Sequence, residues 1–66
     1  MEVFEGKKYQ GRDKTLRQVE RINFVDFAHT RRTVIYQKMR PDGTGSGRLF
    51  FEGYSKFSKW AKQEAT

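Results

Sequence analysis

The chain has no cysteine, a single histidine and a single proline in 66 residues. Without thiols, neither a disulfide framework nor a thiolate zinc site can brace the fold, and one imidazole rules out a multi-histidine metal centre. No cofactor or metal is expected. No apolar run approaches the roughly 18 residues of a membrane span. The segment after Met1, EVFEGKK, lacks the apolar stretch of a signal peptide. The expectation is a soluble cytoplasmic protein with no membrane partner, since missing cysteines also fit a reducing compartment. The lone His29, in AHTRR, reads as an exposed turn residue, and no positioned nucleophile accompanies it. The glutamates Glu2, Glu5, Glu20 and Glu52 show no spacing that demands a catalytic pair. An enzyme is not expected.

What the sequence does hold is positive charge and aromatic rings. Fourteen Lys and Arg against eight Asp and Glu give a net charge of +6. That charge suits simple solubility, and equally a polyanion partner. Aromatic residues make up 15% of a chain that is 33% charged, a composition for a folded minidomain rather than a disordered tail. Residues 1–66 form one domain. At this size only about 60% of the unfolded surface is buried, and a single core supplies about 3–5 kcal/mol.

Breakers divide the chain into short pieces. Gly6 and Gly11 bracket KKYQ, while Pro41, Gly43, Gly45 and Gly47 punctuate the middle. The intervening TLRQVERI, NFVDFA, RTVIYQKM and RLFFEG have strand composition, and the last two read as an antiparallel hairpin. Val19 and Ile22 are three apart, which a regular strand cannot keep on one face. A bulge near Glu20 and Arg21 reconciles them; a helix from Thr15 to Phe24 is the competing reading.

The ending YSKFSKWAKQEAT changes period. The spacing predicts a helix over about 55–64 with Ser55 as N-cap. Phe57, Trp60, Ala61 and Glu64 lie on one side, Tyr54 near its margin, and Lys56, Lys59 and Lys62 opposite. The expected fold is mainly β: four to five short strands within 3–52, curled into a partly open antiparallel barrel that Phe57 and Trp60 plug from a C-terminal helix.

The stretch RPDGTGSGR invites comparison with phosphate-binding glycine loops. A dinucleotide fingerprint needs glycine where Arg48 stands, no register supplies a Walker loop, and a strand follows instead of a helix. Pro41, Asp42 and Gly43 form a turn sequence, with Gly45 and Gly47 expected to make a longer, mobile tip. Arg40 and Arg48 at its ends can follow a phosphate backbone.

Phe50 and Phe51 must point to opposite faces. With Arg40 opposite Gly47, Tyr36 pairs with Phe51, and Lys38 and Leu49 join them on one surface. That face is either buried under the helix or displayed as a stacking platform for bases. The candidate nucleic-acid contacts are therefore Arg17 and Arg21 on one strand, Arg31 and Arg32 in the adjoining turn, Arg40, Arg48, Lys38, and the helix lysines Lys56 and Lys59. Tyr36 and one of Phe50 or Phe51 are the stacking candidates.

The arrangement Gly6, Tyr9, Arg17-x-Val19-x-x-Ile22, Val34-x-Tyr36 and Phe57-x-x-Trp60-Ala61 resembles short phage- and prophage-encoded proteins of unknown function. They look like small Src-homology-3-like barrels with a terminal Phe-x-x-Trp. In outline the chain is also similar to small basic archaeal chromatin proteins, barrels closed by a helix that bind duplex DNA. The resemblance implies a phage or mobile-element origin, a host-cell cytoplasmic location, and action by binding. The expected partner is nucleic acid, DNA or RNA. The alternative is a host protein that the chain inhibits or adapts.

Overall fold

The computed structural model of the chain describes residues 1–24 and 31–65. The breakers separate its elements largely as the composition suggests: β1 (Lys8–Gly11), β2 (Leu16–Phe24), β3 (Arg32–Met39), β4 (Gly45–Gly53), α1 (Tyr54–Trp60) and β5 (Ala61–Glu64). The strands form one antiparallel sheet in the order β4-β3-β2-β1-β5. The described residues are mainly β, with one short helix among them near the C-terminus. Among the described residues the sheet does not close into a barrel, and β4 and β5 are its edges. No helix among the described residues is long and apolar enough to cross a membrane.

The spacing of Val19 and Ile22 is resolved by a bulge. Val19 pairs with Tyr36 and Arg21 with Ile35, leaving Glu20 as the extra residue of β2. Val19 is fully buried and Ile22 packs against the core from the same strand, so the bulge keeps both apolar residues inside. The helical alternative over Thr15–Phe24 does not form. The NFVDFA segment is strand through Phe24; its remainder, with His29, lies outside the described residues.

The helix differs from its predicted extent. It ends at Trp60, and Ala61 turns extended at φ −70° and ψ 126°. The N-cap is Gly53 rather than Ser55, with no side-chain capping bond. Residues 61–64 instead add β5 to β1, pairing Gly11 with Ala61, Gln10 with Gln63 and Tyr9 with Glu64. A seven-residue helix has little stability of its own, and the open edge of β1 offers the next residues backbone partners. Ala61 stays buried in this arrangement, so the apolar pattern at Phe57, Trp60 and Ala61 is satisfied with only two of them helical.

The central hairpin is tighter than its glycines imply. Gly43 donates its N–H to the Arg40 carbonyl (2.9 Å), and Arg40 donates to Thr44 (2.8 Å). Gly43 takes φ +91°, which a side chain adopts only at a cost. Gly45 and Gly47 are not a loop tip but the start of β4, absorbed where the register shifts between Gln37 and Met39. Tyr36 accordingly pairs with Phe50, not Phe51, and Phe51 falls opposite Ile35.

The core lies between the sheet and α1. Val3, Tyr9, Val19, Val34, Tyr36, Phe57 and Ala61 form it, with Ile22, Phe50, Tyr54 and Trp60 packed around them. Phe57 is its centre: its ring meets Tyr9 edge-on at 6.2 Å and lies 5.2 Å from both Tyr36 and Trp60. The N-terminal segment seals one side. The Val3 N–H donates to the Tyr54 hydroxyl and the Phe4 N–H to the Tyr9 hydroxyl, each at 2.8 Å, which gives both phenol oxygens partners.

Candidate nucleic-acid interface

The fold separates the predicted contact residues. Two of them belong to the core side of the sheet. Tyr36 is 4% exposed, stacked on Phe50 at 5.7 Å, and burial pushes its hydroxyl pKa above the ordinary value. It cannot present its ring to a base. Arg17 has a side chain only 15% exposed. Its guanidinium sits 3.9 Å from the Trp60 ring centre and 4.6 Å from that of Tyr36, and Nη1 meets Glu52 Oε1 at 3.5 Å. Inward-facing positions of β2 lie against α1, so this cation is spent on aromatic faces and a carboxylate.

Arg32, at the last pair of β2 and β3, lies 3.5 Å over the Tyr54 ring, beside the exposed Arg31. Lys56 is exposed on α1. Arg21 points outward from β2, in register with Ile35 and through it with Phe51. Phe51, 68% exposed, is thus the displayed member of the Phe50/Phe51 pair.

The remaining candidates converge at the opposite end of the sheet. Leu16 pairs with both Gln10 and Met39, which sets the β1–β2 turn (12–15) beside the β3–β4 turn (40–44). A cleft of about 280 Å³ between them is lined by Gln10, Lys14, Thr15, Leu16, Met39 and Pro41. Lys38 is exposed near the end of β3, its Nζ 4.8 Å from the Phe50 ring centre. Arg48 is exposed in β4 opposite the register shift. Arg40 Nη1 donates to Thr44 Oγ1 (3.3 Å) and the Gly45 carbonyl (3.2 Å), which anchors it to its turn. A second cleft, about 470 Å³, opens around Arg12, Asp13, Lys59, Trp60 and Lys62.

Compared with protein-family models, curated proteins and solved structures, the chain matches none.

Half of the chain's fourteen basic residues stand at this end: Arg12, Lys14, Lys38, Arg40, Arg48, Lys59 and Lys62. Its two aspartates are occupied by an identical device. Asp13 Oδ1 accepts from the Thr15 N–H (3.1 Å) and hydroxyl (2.7 Å), and Asp42 Oδ1 from the Thr44 N–H (2.9 Å) and hydroxyl (2.7 Å). Those threonine donors hold both carboxyls below their ordinary pKa of 3.8. The residue between the partners has positive φ in each turn, Lys14 at 65° and Gly43 at 91°.

Arg12 and Lys14 were not among the predicted contacts, and Lys62 was expected on the lysine side of the helix rather than on a strand. The signal for the first two was the shared Asp-x-Thr of RDKT and PDGT, which marks two equivalent turns. Lys62 reaches this end on β5, which joins β1, instead of on the helix. Among the described residues no cluster of His, Asp or Glu could hold a metal ion.

Proposed function

We propose that the protein binds nucleic acid, DNA or RNA, through the backbone phosphates, using the basic end of the sheet. The observation that carries this reading is the gathering of half the basic side chains around two adjacent turns whose only aspartates are engaged by threonines. Such a surface attracts a polyanion without selecting bases. With Tyr36 in the core, base stacking is not part of the proposal. The strand order, with α1 between β4 and β5, supports an open Src-homology-3-like arrangement as the scaffold.

A titration of the protein against fluorescent single-stranded DNA, duplex DNA and RNA tests the proposal. About five phosphate contacts lower duplex affinity roughly 500-fold between 50 and 200 mM salt. Binding that is weak and indifferent to salt rejects it. The second reading, a module that binds another protein, is favoured by one observation: Leu49 and Phe51 are exposed on edge strand β4. It predicts a captured partner that survives nuclease treatment.

A further inference from the structure

Sheet edges are usually blunted by shortness, lysine, proline or a bulge, because unpaired backbone groups recruit another strand. β5 obeys this rule, with four residues that include Lys62 and Glu64. β4 follows it only at its start, where the register is irregular between its pairings at Gly45 and Leu49. From Leu49 to Gly53 it pairs regularly with β3, contains no lysine or proline, and has no neighbour on its other side among the described residues. On the outer face beside this edge, Leu49 is 55% and Phe51 68% exposed.

The segment Arg48-Leu49-Phe50-Phe51-Glu52 is self-complementary about its centre. When two copies of β4 meet antiparallel with Phe50 opposite Phe50, each Arg48 stands opposite the other copy's Glu52. Each Leu49 then stands opposite the other copy's Phe51. A slip of two residues, the smallest that keeps the same faces together, sets Arg48 opposite Phe50 in one direction and Leu49 opposite Gly53 in the other. Either slip removes both Arg48–Glu52 pairs and replaces the two Leu49–Phe51 pairs with one like pair, Leu49 with Leu49 or Phe51 with Phe51. Glu52 offers Oε1 to Arg17, and a carboxylate has acceptor sites for a second guanidinium.

We propose that the protein associates with a second copy of itself by joining the two β4 edges in this register, so that one sheet runs through both copies. Cross-strand apolar and opposite-charge pairs of this kind each favour the pairing modestly. The contact is small beside the ~1,000 Å² of a standing interface, so association is reversible and depends on concentration. The proposal is independent of the nucleic-acid reading and is tested on nucleic-acid-free protein.

Sedimentation equilibrium of the full chain from micromolar to millimolar concentration should show the mass rising from one chain towards two. Arg48→Glu, an exposed change that sets like charges opposite each other, should weaken association about tenfold. Register is read by cross-linking, because the chain has no cysteine of its own. An equimolar mixture of Leu49→Cys and Phe51→Cys proteins in oxidised glutathione should yield the mixed disulfide well above either homodimer. Directly opposed residues lie about 4.5–5.5 Å apart between Cα atoms, inside disulfide range. A chain that stays monomeric throughout overturns the proposal. So does a dimer indifferent to Arg48→Glu, or one that cross-links as readily within each variant as between them.

Discussion

Arg17 shows how far a side chain's neighbours decide its role. A guanidinium stacked on Trp60 and Tyr36 and facing Glu52 fills apolar space as well as carrying charge. Arg17→Ala removes that packing and strands a half-buried carboxylate. A loss of about 2–4 kcal/mol is expected in urea unfolding, most of what a core of this size supplies. Charge reversal at Arg17 therefore reports on folding, and a binding control belongs at the basic end. The two Asp-x-Thr turns give a second prediction. Because the carboxyls of Asp13 and Asp42 are held below 3.8, their contribution to stability is present above that pH. It is lost as pH falls through the folded-state values. The thermal midpoint should drop on acidification below about pH 4, and the double variant Asp13→Asn/Asp42→Asn should flatten that part of the profile; an unchanged slope would count against the turn assignment.

Among the elements, β1 and the end of α1 depend on one close approach. Gly11 is buried, and a methyl group at its position would collide with the Trp60 ring. Gly11→Ala should cost about 1–3 kcal/mol through overpacking. It should also alter the fluorescence of Trp60, the chain's single tryptophan. An unshifted spectrum at unchanged stability would mean that the ring does not rest on β1. The same region shows why the helix end was not legible beforehand. A pattern at 57, 60 and 61 is satisfied by a helix through 64 or by one that stops at Trp60, and only the open edge of β1 distinguishes them. The bulge at Glu20 was legible because two apolar residues three apart within a strand leave few other solutions.

For the molecule as a whole, the net charge of +6 matters less than its placement. Replacing Lys14, Lys38 and Lys62 with glutamine leaves the core untouched, since all three are exposed. The expected result is a logarithmic salt slope for duplex binding reduced from about −4.5 to about −1.8, three fewer released counterions at about 0.9 each. A slope that does not change would move the interface elsewhere on the surface. Of the predicted contacts, Lys38, Arg40, Arg48 and Lys59 meet at this end. Arg31 and Arg32 go to the other end, Lys56 stays exposed on α1, Arg21 faces outward from β2, and Arg17 and Tyr36 are drawn inward. Residue type alone marks all of these as cations or aromatics; the face each occupies follows from its pairing.

Sequence alone determined the strand-rich composition, the turn at Pro41-Asp42-Gly43, the bulge in β2 and the aromatic centre at Phe57. Each follows from local chemistry: backbone preference, alternation along a strand, or the spacing of large apolar groups. Tertiary structure decided the rest. A strand pattern of period two reads the same in neighbouring registers, yet a one-residue slip exchanges the faces of every side chain, and the register is what turned Phe50 towards the core and left Phe51 exposed. It also decided that residues 61–64 leave the helix for the edge of β1, because vacant backbone hydrogen bonds exist only once the sheet has formed.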